Sequence, residues 1–74
     1  MWEMHPDGDE LVVCLSGAFT LWQASPEGGQ RRIELEPGQY AINPAGVWHT
    51  ANTRGPAEAL FVTSGQGTQH RRRH

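Results

Sequence analysis

The sequence is short of three things: cysteine, cations and long apolar runs. With Cys14 as its only cysteine, no internal disulfide can form. Its cations are six arginines against eight acids, a formal net charge of −2 with no basic stripe along the body. Without such a stripe, nucleic acid is not expected as a partner. No run of about 18 apolar residues occurs, so no membrane partner is expected either. The N-terminus is acidic and has no apolar signal core, and together with a single thiol this points to the cytoplasm. No serine sits in a nucleophile elbow and no glycine-rich phosphate loop leads into a helix, which leaves hydrolase and nucleotide chemistry without support.

At 74 residues the chain is one domain. Chains below ~70–80 residues commonly gain stability from disulfides, metals or partner subunits. The first is excluded here, so a metal, a second subunit or an incomplete chain would have to account for the fold.

Glycine and proline divide the sequence into runs too short for helices, and no window has helical spacing over three turns. Glu10–Leu15 (ELVVCL), Ala18–Ala24 (AFTLWQA) and the clean alternation of 31–36 (RRIELE), with Ile33 and Leu35 inward, read as strands. Tyr40–Asn43, Val47–Thr53 and Ala59–Ser64 follow, separated by PGQ, PAG and RGPAE turns. Short strands with frequent turns predict an all-β sandwich or barrel. Residues 1–64 form the domain, and 65–74 (GQGTQHRRRH), with no apolar residue, form a flexible basic tail. The tail's arginines are read as solvated. His70 could fold back toward a metal, although nothing in the sequence requires it.

Ligand-type side chains cluster at the start. Residues two apart on a strand face the same way, so Glu3 and His5 share a face. PDGD at 6–9 is good turn chemistry, so Glu10 can begin the returning, adjacent strand. His49 lies far downstream, behind Pro44 and Gly46. Cys14 is in phase with Glu10 through Val12 and is read as a small buried hydrophobe. Trp2, Trp22, Trp48, Tyr40 and Phe61 are read as core or subunit-interface residues.

The spacings resemble the cupins over residues 3–52. After His5 come four residues, Glu10, six residues and Gly17; after Gly38 come five residues, Pro44-Ala45-Gly46, two residues and His49. Glu3 stands where the first motif usually has a histidine, Asn52 comes one residue early and its role is not carried over, and the N-terminal strands of an ordinary cupin are missing. The resemblance implies a small antiparallel jelly-roll β-barrel, incomplete at its N-terminus, with open edges that favour a homodimer through strand exchange.

The resemblance further implies a divalent metal in the barrel, held by His5, Glu10 and His49 with Glu3 in the fourth position. The chemistry of those side chains agrees: two imidazoles and carboxylate oxygen suit Mn or Fe, while Zn, Ni and Cu remain open. Paired carboxylates alone would suggest glycoside chemistry, but Glu3 and Glu10 are better explained as co-ligands. The expected function is a metal-binding cupin acting on a small molecule, with a dioxygenase or an isomerase as the enzymatic form. A non-catalytic sensing module and a truncated cupin with a purely structural metal are the alternatives. No catalytic residue is assigned.

Overall fold

The computed structural model describes residues 1–72. They contain eight strands: β1 Trp2–Met4, β2 Glu10–Ser16, β3 Phe19–Ala24, β4 Gln30–Leu35, β5 Tyr40–Asn43, β6 His49–Thr53, β7 Glu58–Thr63 and β8 Gln69–Arg71. Every strand pairing is antiparallel. The strands form one sheet in the order β4-β3-β6-β1-β8 and a second in the order β5-β2-β7. No helix among the described residues is long and apolar enough to cross a membrane.

This is the expected all-β jelly-roll class, but it is not a closed barrel. Closure needs strands of the two sheets to pair with one another, and among the described residues each sheet instead keeps two edges, β4 and β8 in one, β5 and β7 in the other. The inward rows are set by alternation. On β2, Glu10, Val12 and Cys14 point into the sandwich, and Val12 and Cys14 meet Leu21, Leu35 and Ala41 in the core. Cys14 is fully buried, its thiol directed at the carbonyls of Ser16 and Gly17. Gly17 ends β2 at a φ of 72°, and a Cβ there would lie 2.5 Å from the Pro56 carbonyl oxygen, which explains glycine at that point of the first motif.

Two expectations need correction. β1 and β2 are not adjacent: they lie in different sheets, and residues 5–9 carry the chain across from one to the other. The PDGD stretch makes a crossing because the Ala45 N–H bonds to its Asp9 carboxylate and the Gly46 N–H bonds to the His5 carbonyl, each at 2.9 Å. Nor are residues 65–74 tail throughout. Residues 69–71 form β8, with Glu3 opposite His70 and Trp2 opposite Arg71. The free edge of β1 supplies backbone partners that need no apolar side chain. Residues 73 and 74, the end of the expected tail, lie outside the described residues.

Candidate metal centre

The four ligand-type residues come from the middle of β1, the first positions of β2 and β6, and the crossing after β1. Glu3 sits in β1 with His49, the first residue of β6, directly opposite it. His5 lies just past β1, held by the bond between its carbonyl and Gly46. The turn at Gly46, at a φ of 78°, also sets the approach of the chain to His49. Glu10 opens β2 in the facing sheet, between Asn43 of β5 and Thr63 of β7.

One donor atom from each of Glu3, His5, Glu10 and His49 falls within 4.8 Å of the others. His5 and His49 are buried, with ring centroids 5.1 Å apart. Glu10 is 3% exposed and projects between them: its Oε2 is 3.0 Å from His5 Nε2 and its Oε1 is 3.2 Å from His49 Nε2. Neither contact is aligned as a hydrogen bond, and both Nε2 atoms are buried without a hydrogen-bond partner among the described residues. The Glu3 Oε1 stands 3.9 Å from each of the same two nitrogens, on a side chain that is 43% exposed.

The atoms behind the ligands fix their chemistry. His49 Nδ1 is 3.3 Å from the Val47 carbonyl oxygen, which can only accept, so Nδ1 carries the proton and the Nε2 lone pair points at Glu10. Burial pushes the His49 pKa down, against the opposing pull of Glu10, so the ring is neutral near pH 7 and able to donate a lone pair. Glu10 Oε1 accepts from Asn43 Nδ2 at 3.1 Å and its Oε2 from the Thr63 hydroxyl at 2.6 Å. Asn43 is held in turn by Gln23, whose amide donates to Asn43 Oδ1 at 2.9 Å and to the Ile42 carbonyl at 2.8 Å, tying the two sheets together behind the site. A lone pair facing a carboxylate in a buried setting is repulsive unless a proton or a metal cation lies between them, and the contacts here are not aligned for a shared proton. The donor set therefore fits a divalent ion with nitrogen and oxygen ligands.

Beside the cluster lies a cavity of about 180 Å³, bordered by Glu3, Leu21, His49 and Phe61 among others. Phe61 borders this cavity and Tyr40 lies exposed on the outer side of the small sheet, so of the core or interface places expected for them, neither takes the core. Trp2 is buried; it and Trp22 border a different cavity, of about 220 Å³. The residues that the sequence reading missed are Gln23, Asn43, Thr63 and Thr68, whose polar groups reach the site only through cross-strand register and chain return.

A family model described as "Cupin domain" matches residues 1–63. A search of curated proteins finds no match.

Proposed function

The chain belongs to the cupin domain family, and on that premise we propose that it holds one divalent metal through Glu3, His5, Glu10 and His49 and binds a small oxygen-donor molecule there. The observation that carries this reading is the pair of buried, unpartnered imidazole nitrogens facing the Glu10 carboxylate. With two imidazoles and two carboxylates, and with the one thiol sealed in the core, Mn or Fe suits the site better than a thiolate-seeking ion. A bound ion would supply Lewis acidity and a template for the small molecule. The chain's own residues do the rest. His49 presents a lone pair because Val47 holds its other nitrogen. Asn43 and Thr63 aim the Glu10 oxygens. Leu21 and Phe61 give the neighbouring cavity apolar walls, and its size suits a ligand of few heavy atoms. A free, buried Cys14 is in keeping with work in the cytoplasm.

Oxalate, a small oxygen-donor probe, tests this. Added to the Mn(II)-loaded protein, it is expected to alter the electron paramagnetic resonance spectrum, and His49→Ala is expected to lose the response together with the metal. An unchanged spectrum at saturating oxalate would contradict ligand binding at open positions. Oxygen uptake by the Fe(II) form then separates turnover from sensing or from a structural metal.

A homodimer fits the outer face of the small sheet. Leu15, Tyr40, Ile42, Leu60 and Val62 are 43–67% exposed there, and register sets Ile42 and Val62 beside Leu11, and Tyr40 and Leu60 beside Val13. At ~150–200 Å² for a large side chain in the open, these five expose on the order of 500 Å², at the upper end for a monomer and approaching the ~800 Å² per partner of a stable interface. The apolar positions carry no charge themselves and Glu58, at the start of β7, borders them on the same face, so a two-fold axis can bring two copies together with that acid left at the rim. We infer that a second copy covers this face by packing, in place of strand exchange. Sedimentation of the wild type is expected to give a dimer mass and Leu60→Asp a monomer; a monomeric wild type at micromolar concentration would overturn the inference.

A further inference from the structure

Residues 68–71 touch the candidate metal centre at two points and the adjacent Trp48 at a third. The Thr68 hydroxyl is 2.9 Å from His5 Nδ1. His70, opposite Glu3 in register, places its Nε2 3.1 Å from Glu3 Oε2. Arg71 stacks over Trp48, the residue before His49, with its guanidinium 4.3 Å from the ring centroid. Glu3 is thereby divided: Oε2 goes to His70 while Oε1 faces the two imidazole nitrogens at 3.9 Å.

We propose that residues 68–71 are a strap that positions the Glu3 and His5 donor atoms for the metal, with His70 holding Glu3 as a one-oxygen ligand. The proposal rests on the metal reading above. Its physical basis is the contrast between the acids. Glu10 is buried and fixed from its own sheet by Asn43 and Thr63. Glu3 is 43% exposed, and the hydrogen bond that orients it comes from the returning chain. An exposed glutamate without that bond samples several rotamers, and ordering it on binding would cost side-chain entropy. Partners behind metal ligands commonly change affinity by ~10–100-fold. Coupling is also reciprocal: if the strap tightens metal binding, metal must stabilise the strap by the same factor.

Two readouts test this on the full chain: Mn(II) titration calorimetry and amide hydrogen exchange at residues 69–71. His70→Ala is expected to weaken Mn(II) by about 10-fold or more, and Thr68→Val to weaken it as well. His70→Gln, whose amide can still donate to Glu3, is expected to recover most of the loss, and Gln69→Ala to behave as wild type. Metal is expected to slow exchange at residues 69–71 in the wild type and to lose that effect in His70→Ala. A wild type that binds Mn(II) with the affinity of His70→Ala would overturn the strap and leave the metal site standing. A wild type that binds no metal would bring down the metal reading and the strap with it. If His70→Ala melts far below the wild type without metal, the exchange measurement and the glutamine rescue decide, since a strand lost for structural reasons would not be recovered by glutamine.

Discussion

Glu10→Gln is expected to abolish metal binding while leaving the metal-free protein at least as stable as the wild type. The two halves of this result come from one geometry. Glu10 is 3% exposed, and each of its oxygens faces an imidazole nitrogen that has no hydrogen-bond partner. A metal turns that arrangement into ligation. In its absence, the Glu10 carboxylate faces the His49 lone pair and the unpartnered His5 Nε2 in a desolvated space, relieved by Asn43 and Thr63. Glutamine keeps the volume and removes the anion. Its carbonyl can accept from Asn43, its amide can donate to an imidazole, and the Thr63 hydroxyl can turn to accept. Buried ionic groups replaced by well-fitting neutral ones are often neutral or stabilising. A gain of ~1 kcal/mol would raise the metal-free Tm by roughly 4–8 °C in a domain of this size. Metal affinity should fall well beyond the ~10–100-fold that outer contacts control. Titration calorimetry and melts with and without Mn(II) check both halves; retained affinity or a large metal-free Tm drop would contradict this account of Glu10.

The second large effect concerns the fold. Leu21→Ala is expected to bring the metal-free chain to the edge of unfolding at room temperature and to make a fully folded population depend on metal. Leu21 is 1% exposed and lies among Val12, Cys14, Leu35 and Ala41. Removing such a leucine costs ~2–5 kcal/mol, the transfer term plus the cavity left behind. A domain this small has little stability to lose, on the order of 5 kcal/mol. A metal that binds only the folded state returns ~4 kcal/mol at a thousandfold excess over its Kd. Thermal melts of Leu21→Ala followed by circular dichroism should therefore show a much lowered transition that Mn(II) raises and chelator lowers again. A metal-free Leu21→Ala that melts within a few degrees of the wild type would show that the core does not carry the fold.

The cluster was legible in the sequence because its signal is local. His5 to Glu10 to Gly17, and Gly38 to Pro44 to His49, are fixed intervals along one chain, and turn chemistry marks their boundaries. The support behind the cluster was not legible. Asn43 and Thr63 flank Glu10 only because β5 and β7 pair with β2 in one register, and no property of either residue announces that pairing. β8 was hidden for a different reason. QHR has no apolar alternation, and its place beside β1 depends on edge hydrogen bonds that composition does not record. Residues 5–9 misled because turn residues serve a hairpin and a sheet crossing equally well. In the small sheet, ELVVCL is apolar on both faces, so alternation distinguished the inward row at Cys14 but gave no warning of the exposed outer face.

The central claim is that Glu3, His5, Glu10 and His49 converge on a single divalent ion. The direct measurement is calorimetric titration of Mn(II), and anaerobically of Fe(II), into the chelator-treated 74-residue chain, with bound metal then quantified after desalting. The expected result is one ion per chain, with no proton released from His49, because burial keeps its ring neutral near pH 7. Retention of less than about 0.2 ion per chain under metal-replete conditions, where a site built from folded ligands should be filled, would contradict the account.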